Sequence, residues 1–253
     1  MKTLSRTIAK VLLGLLFITI SISANAQTAP AAPAKGSFSV SADLVSSYVW
    51  RGIAQEGSKG GSPNFQPTVS YTIGGLTLGA WGSGSFSGNV KEVDLSATYA
   101  FSDIFSATVT DYNWNFTKSY FKYKNDSTDH VFEASLNYAG VKSFPLSISL
   151  NTMFYGADKK LNSDSTKLVN AYSTYLELGY PLSDNTKLFL GASLLDSPGM
   201  YTAGKSQGFS VINVGLKTSK TIKFSDSFSL PVYGVLGFNP QVETAYFVVG
   251  MTF

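Results

Sequence analysis

The chain has 253 residues, with 19 Lys plus Arg, 16 Asp plus Glu and no cysteine. Without cysteine, a disulfide scaffold and an acylated lipoprotein are both excluded. Aromatic and charged residues each make up 14% of the chain, a balance that suits a sheet facing lipid better than a soluble sandwich, which carries more surface charge.

Residues 1–26 have the three-part layout of a secretory signal peptide. Lys2, Arg6 and Lys10 supply the positive start, and the apolar run of residues 11–22 follows. That run falls short of the ~20 residues a membrane-spanning helix requires. Ala24-Asn25-Ala26 offers the small-x-small cleavage site, so the mature chain is expected to start at Gln27. The three basic residues leave with the signal, and sixteen then balance the sixteen acidic ones. The net charge of +3 therefore belongs to the export segment, and nothing argues for a nucleic-acid partner.

Residues 27–36, QTAPAAPAKG, have no pattern able to bury a face and read as a periplasmic linker. From Phe38 onward the chain alternates with period two, which predicts strands with one apolar and one polar face. The first apolar set is Phe38, Val40, Ala42, Leu44, Tyr48 and Trp50. The next are Phe65 to Ile73, Leu76 to Ala80, Val93 to Phe101, and Phe105 to Trp114 with a register slip expected near Asp111. Phe132 to Tyr138, Leu146 to Phe154, Tyr172 to Tyr180, Leu188 to Leu194, Ile212 to Leu216, Leu230 to Phe238 and Ala245 to Phe253 complete twelve sets.

An even count returns both chain ends to one side, as single-chain bacterial barrels require. Connections alternate accordingly: 74–75, 102–103, 140–145 and 181–185 are short, whereas 51–63, 115–128, 156–168 and 195–208 are long. Only 219–227 is longer than a periplasmic turn should be. Aromatics gather at the expected strand ends, with Tyr48, Trp50, Phe65, Phe86, Trp114, Phe132, Phe154 and Tyr172 outside. Phe38, Tyr71, Tyr99, Phe101, Phe105, Tyr138, Tyr180 and Phe253 lie at inner ends. Two girdles distinguish a membrane barrel from a sandwich, whose large aromatics belong in mid-strand. The expected fold is an all-β, transmembrane, antiparallel up-and-down barrel over residues 37–253 in the cell outer membrane, with Phe253 as its assembly signal.

Ser46 to Gln55, SSYVWRGIAQ, resembles the first-strand signature of the TorF-type putative porins of Gram-negative bacteria, where an aromatic strand ends in Arg-Gly and reaches a Gln. GLTLGAWGSG (residues 75–84) and VDLSATYAFSD (residues 93–103) are similar to that family's third and fourth strands. Ser47 departs from the commoner Asp, and the loops 118–129 and 156–168 are longer. The resemblance implies an outer-membrane barrel with a presumed pore and brings no catalytic residues.

Barrels that act as enzymes are the rival class. A twelve-strand phospholipase barrel places His and Ser two apart on a strand, but His130 is followed by Val131 and Phe132. An acyl-transfer site needs base and nucleophile within hydrogen-bond reach, so His130 is expected to be a loop-edge histidine. Asp126, Asp129 and Glu133 cluster near it, but the pattern is generic. No zinc, calcium or phosphate motif appears, and no cofactor is expected. NFTKSYFKYK (residues 115–124) interleaves aromatics and lysines, either as a binding loop for glycan or lipopolysaccharide phosphates or as a strand extension turning at Asn125-Asp126.

The expected function is passive diffusion of small hydrophilic solutes or ions. Eight strands are filled by side chains, whereas ~16–18 leave an aqueous channel, and twelve lie between. The polar phase turns Asp43, Asp94, Glu133 and Glu177 inward against Arg51 at the outer mouth, Lys187 and Lys217. An acidic constriction of this kind predicts mild cation preference, and its alternative is that the carboxylates pair with the basic groups as braces. Expected partners are lipid, lipopolysaccharide, the barrel assembly machinery and small solutes. A non-conducting barrel whose outer loops bind a partner, and an outer-membrane lipid hydrolase, remain as alternatives.

Overall fold

The computed structural model describes residues 35–56, 61–114, 116–201 and 208–253. The expected signal peptide, and the linker up to residue 34, lie outside them. The described chain forms sixteen strands: β1 (Ser37–Val45), β2 (Val49–Trp50), β3 (Ile53–Ala54), β4 (Asn64–Ile73), β5 (Leu76–Ser85), β6 (Lys91–Ala100), β7 (Phe105–Trp114) and β8 (Val131–Tyr138) come first. They are followed by β9 (Ser147–Gly156), β10 (Lys159–Leu161), β11 (Leu168–Asn170), β12 (Thr174–Ser183), β13 (Thr186–Ser193), β14 (Ser210–Lys223), β15 (Ser229–Asn239) and β16 (Thr244–Thr252).

Twelve of them close an antiparallel barrel, each paired with its sequence neighbours once the small hairpins β2–β3 and β10–β11 are set aside, and β1 meets both β4 and β16. Up-and-down order follows from the turns. Between Ile73 and Leu76, which face one another, only Gly74-Gly75 intervenes, and Gly74 takes φ 57°, the left-handed geometry a two-residue hairpin needs.

Alternation separates the two faces of the wall. Leu136 (52% exposed) and Leu236 (53%) stand bare at mid-strand, an arrangement that water would penalise and hydrocarbon accepts. Phe38, Tyr99, Phe101, Phe105, Tyr180 and Phe253 crowd the short-turn end of the exterior, and Phe65, Phe86, Phe154 and Tyr172 the long-loop end. The interior phase carries small polar side chains bonded across strands, such as Thr72 to Thr77 and Thr98 to Thr108, both 2.9 Å.

The seam is the shortest ladder of the barrel wall. β1 pairs β4 over nine residues but β16 over only three, Asp43–Thr252, Leu44–Met251 and Val45–Gly250. Phe253 and Ala42 add two reciprocal backbone bonds.

Several expectations need correcting. The first strand stops at Val45 rather than Trp50, because Ser46-Ser47 bend the chain into the barrel. Tyr48 and Trp50 consequently leave the outer girdle and pack inside, and Trp114 does so because it falls in the inward phase of β7. The β6–β7 ladder runs without a shift past Asp111, so no slip occurs there, and the irregularities fall at 132/133, 181/183 and 191/192. Residues 219–223 are not a loop, since β14 and β15 pair over ten residues and turn at 224–228, so their hairpin extends past the last β13 and β16 partners. Residues 116–128 do not continue β7 and β8 as paired strands, although the expected turn at Asn125-Asp126 is present, closed by the Ser127 and Thr128 amides on the Lys124 carbonyl.

Candidate functional site

The lumen is the candidate site, and the strand registers bring the expected residues to it. Asp43, Asp94, Glu133, Glu177, Lys187 and Lys217 all lie in the inward phase. Arg51 comes from elsewhere. It sits with Gly52 in the two-residue turn of the β2–β3 hairpin, and their φ values of 50° and 80° are the pair of positive angles a type I′ hairpin requires. The Arg-Gly step in SSYVWRGIAQ is thus a turn that carries a guanidinium into the barrel rather than to its mouth.

There Arg51 makes a two-point ion pair with Glu133, Nη1–Oε2 2.6 Å and Nη2–Oε1 2.8 Å. The pair is 12% and 1% exposed on its two side chains. Tyr201 also accepts from Arg51. The guanidinium carbon lies 4.6 Å from the Trp50 ring centre and 4.7 Å from that of Tyr175, both cation–π distances. Tyr112 donates to Glu133 at 3.0 Å. Around them Val131, Met153, Tyr175, Tyr201 and Ile212 are buried, with Trp50, Ile53, Tyr112, Trp114 and Met200 packed on them. A core built from wall and loop therefore narrows the long-loop end of the lumen, leaving a cavity of about 180 Å³ beside Trp50, Trp114 and Met200.

Below this core the lumen opens into two cavities of about 450 and 350 Å³ that share Glu177 and Lys187. Glu177 accepts from Tyr175 at 2.9 Å. Asp43 accepts from Thr252 at 2.5 Å and Tyr233 at 3.3 Å. Lys187 and Lys217 face one another across a strand pair, and Lys217 lies 4.2 Å from the Tyr233 ring centre. Among the described residues only Glu133 of these carboxylates forms an ion pair. Glu92, two residues from Asp94 in the same inward phase and equally buried, was overlooked, although its phase alone would have found it. Tyr112 and Tyr175 carried no such signal, because an aromatic in the polar phase reads as a break in alternation, and Tyr201 stands in a loop, where there is no phase to read.

A second polar group lies on the opposite side of the wall. Asp111, Asn113 and His130 belong to the lipid-facing phase of β7 and the start of β8, yet all are buried. His130 Nδ1 lies 2.7 Å from Asp111 Oδ1, and Nε2 lies 2.5 Å from the Tyr120 carbonyl and 2.8 Å from the Asn113 amide nitrogen. Residues 116–130 fold down over the exterior, with the Tyr120 and Tyr123 rings on His130 at 4.9 and 4.2 Å. Tyr155 donates to the Tyr123 carbonyl at 2.8 Å. Polar residues in the apolar phase were the sequence's mark of a covering loop. Lys118 pairs with Asp129 at 2.6 Å. Burial acts to raise the Asp129 carboxyl, but the bonds from Lys118 and Thr117 outweigh it and hold it below the usual range. At Asp158 burial dominates and raises the carboxyl despite two bonds from Ser173.

His130 is thus a structural tie rather than an exposed base. Replacing it with Ala should deprive buried Asp111 of its imidazole partner, a cost of about 1–3 kcal/mol. Proteolysis within residues 116–129 should rise while the barrel keeps its heat-modifiable gel migration, and an unchanged digestion rate would count against the tie.

No family model and no curated protein matches the chain. Solved structures do. The KdgM porin matches at 10% identity over 85% of this chain and 97% of its own, with TM-score 0.44. The same porin in complex with disordered oligogalacturonate matches at 11% over 87% and 98%, TM-score 0.45. The NanC porin in a rhombohedral crystal form matches at 8% over 85% and 98%, TM-score 0.46. Likenesses this distant assign neither a family nor a solute, and the barrel rests on its own hydrogen-bond ladders.

Proposed function

We propose that the chain is an outer-membrane barrel for passive diffusion of small hydrophilic solutes or ions, of the TorF-type kind. In this reading residues 1–26 direct export, residues 27–36 form a periplasmic linker, and the assembly machinery recognises the strand ending in Phe253. The exterior meets lipid and lipopolysaccharide. The observation that carries the reading is the lumen itself, where polar and charged side chains line two cavities beneath an apolar exterior. Recording from purified protein in planar bilayers tests it. Discrete conductance steps are expected, and a folded barrel silent at every voltage would overturn it.

Mild cation preference is the finer reading. Asp43, Asp94 and Glu177 face the lumen without an ion-pair partner among the described residues, so they attract cations as well as shaping the wall. Under a KCl gradient the reversal potential should have the cation sign and move toward zero in Asp94→Asn. An anion-selective pore would remove the acidic constriction, and an unaltered potential in the variant would favour bracing.

The second reading, a non-conducting barrel with loops that bind a partner, draws support from the buried core in the long-loop third of the lumen. Loop deletions that abolish binding while solute uptake is unchanged would favour it. The hydrolase reading draws no support from His130, whose ring nitrogens bond Asp111 and the Tyr120 carbonyl.

A further inference from the structure

Glu133, Tyr112 and Tyr175 belong to the wall, on β8, β7 and β12, whereas Arg51 is brought to them by a hairpin whose two strands form a separate sheet. Inside the lumen that hairpin is held by Arg51, by the packing of Trp50 and Ile53 on the buried core, and by Asn239, whose amide donates to the Gly52 carbonyl at 3.1 Å. A carboxylate as buried as Glu133 needs a cation beside it, because an uncompensated charge in a low-dielectric interior is strongly disfavoured. If the hairpin lifts, Glu133 stays behind with Tyr112 bonded to it and the Tyr175 face beside it. What remains is half of a cation cage.

Resting on the channel reading above, we propose that this wall patch is a binding site for the guanidinium or primary-ammonium group of a passing solute. Arg51 is its resident occupant, and the solute displaces it as the lumen opens. The chemistry selects the ligand class. Two carboxylate oxygens, each 2.6–2.8 Å from a different guanidinium nitrogen, match a planar two-point donor. The Tyr175 ring adds a face that favours a weakly hydrated organic cation over sodium or potassium. The hairpin is also suited to let go, since β2 and β3 pair only with one another and no strand ladder ties them to the wall. A latch and a solute site that share one carboxylate make binding and opening the same event.

The test empties the site without harming the turn. Arg51→Asn creates Asn-Gly, the sequence preferred in type I′ hairpins, and removes the resident cation. Titrating the folded variant with guanidinium chloride, against sodium chloride at equal ionic strength, should give a saturable change in tryptophan fluorescence, since Trp50 lines the site. The double variant Arg51→Asn/Glu133→Gln should show none. In bilayers guanidinium should raise the open fraction of the unmodified barrel by about tenfold, as expected of a ligand that binds mainly the open state. Identical responses of folded Arg51→Asn to guanidinium and sodium would overturn the site. Should that variant not fold, the unmodified barrel decides, and an open fraction indifferent to guanidinium overturns it. A barrel that binds guanidinium but never conducts removes the channel reading and leaves the site. One that conducts and ignores guanidinium does the reverse.

Discussion

A chain lacking Thr252 and Phe253 should fail to form a closed barrel. The closing seam holds three ladder pairs, the two bonds between Phe253 and Ala42, and two bonds between Ser46 and Val249. Thr252 also bonds Asp43 at 2.5 Å. The deletion removes one of those pairs and both Phe253 bonds, and leaves sheet edges that cannot be satisfied in hydrocarbon, where each unpaired backbone group costs several kcal/mol. The expected outcome is loss of the heat-modifiable band and aggregate in the periplasm. Phe253→Ser keeps the backbone bonds and tests recognition of the side chain separately. Wild-type amounts of both variants in the outer membrane would show that neither closure nor assembly depends on these residues.

The second large effect is expected at Glu133. Glu133→Ala should destabilise the folded barrel by about 3–5 kcal/mol, the usual result of removing one partner from a buried ion pair. Arg51 would remain between Trp50 and Tyr175 with no carboxylate beside it. Urea unfolding followed by tryptophan fluorescence measures the loss. Combining Glu133→Ala with Arg51→Asn should restore part of it, because the double variant buries no unpaired charge. Additive losses in the pair would mean that the two side chains do not act together.

Much of the barrel was legible because its rule is local. Period-two alternation and short turns depend on neighbours within a few residues, so the twelve wall strands and Gly74-Gly75 could be read directly. Loop paths could not, because they depend on contacts distant in sequence. Arg51 meets Glu133 82 positions away and Tyr201 150 away. Trp50 and Trp114 matched the girdle rule by position along the strand, yet the first lies beyond the Ser46-Ser47 bend and the second in the inward phase. In the candidate site the inward acids followed from phase alone. That one of them is neutralised by a hairpin inside the lumen did not, although Arg-Gly after an aromatic run was already a hairpin-turn signal. The loop over His130 was misread for the opposite reason, since its turn residues suggested a strand reversal and its aromatics instead cover Asp111 and Asn113 outside the wall.

The unequal height of the wall has a consequence for how the molecule floats. On one side of β16, β1 continues from Ser41 back to Ser37 with partners only on β4, and on the other, β15 continues from Pro231 back to Ser229 with partners only on β14. Among the described residues the sheet therefore shows a notch one strand wide below Phe253, whose amide and carbonyl groups find no strand partner and call for water. Those groups set a draught line. Phe253 stands opposite Ala42, four residues above the Phe38–Tyr71 pair, so the wetted backbone reaches higher than the aromatic residues beside it, and the barrel can sink no deeper into the bilayer than its notch allows.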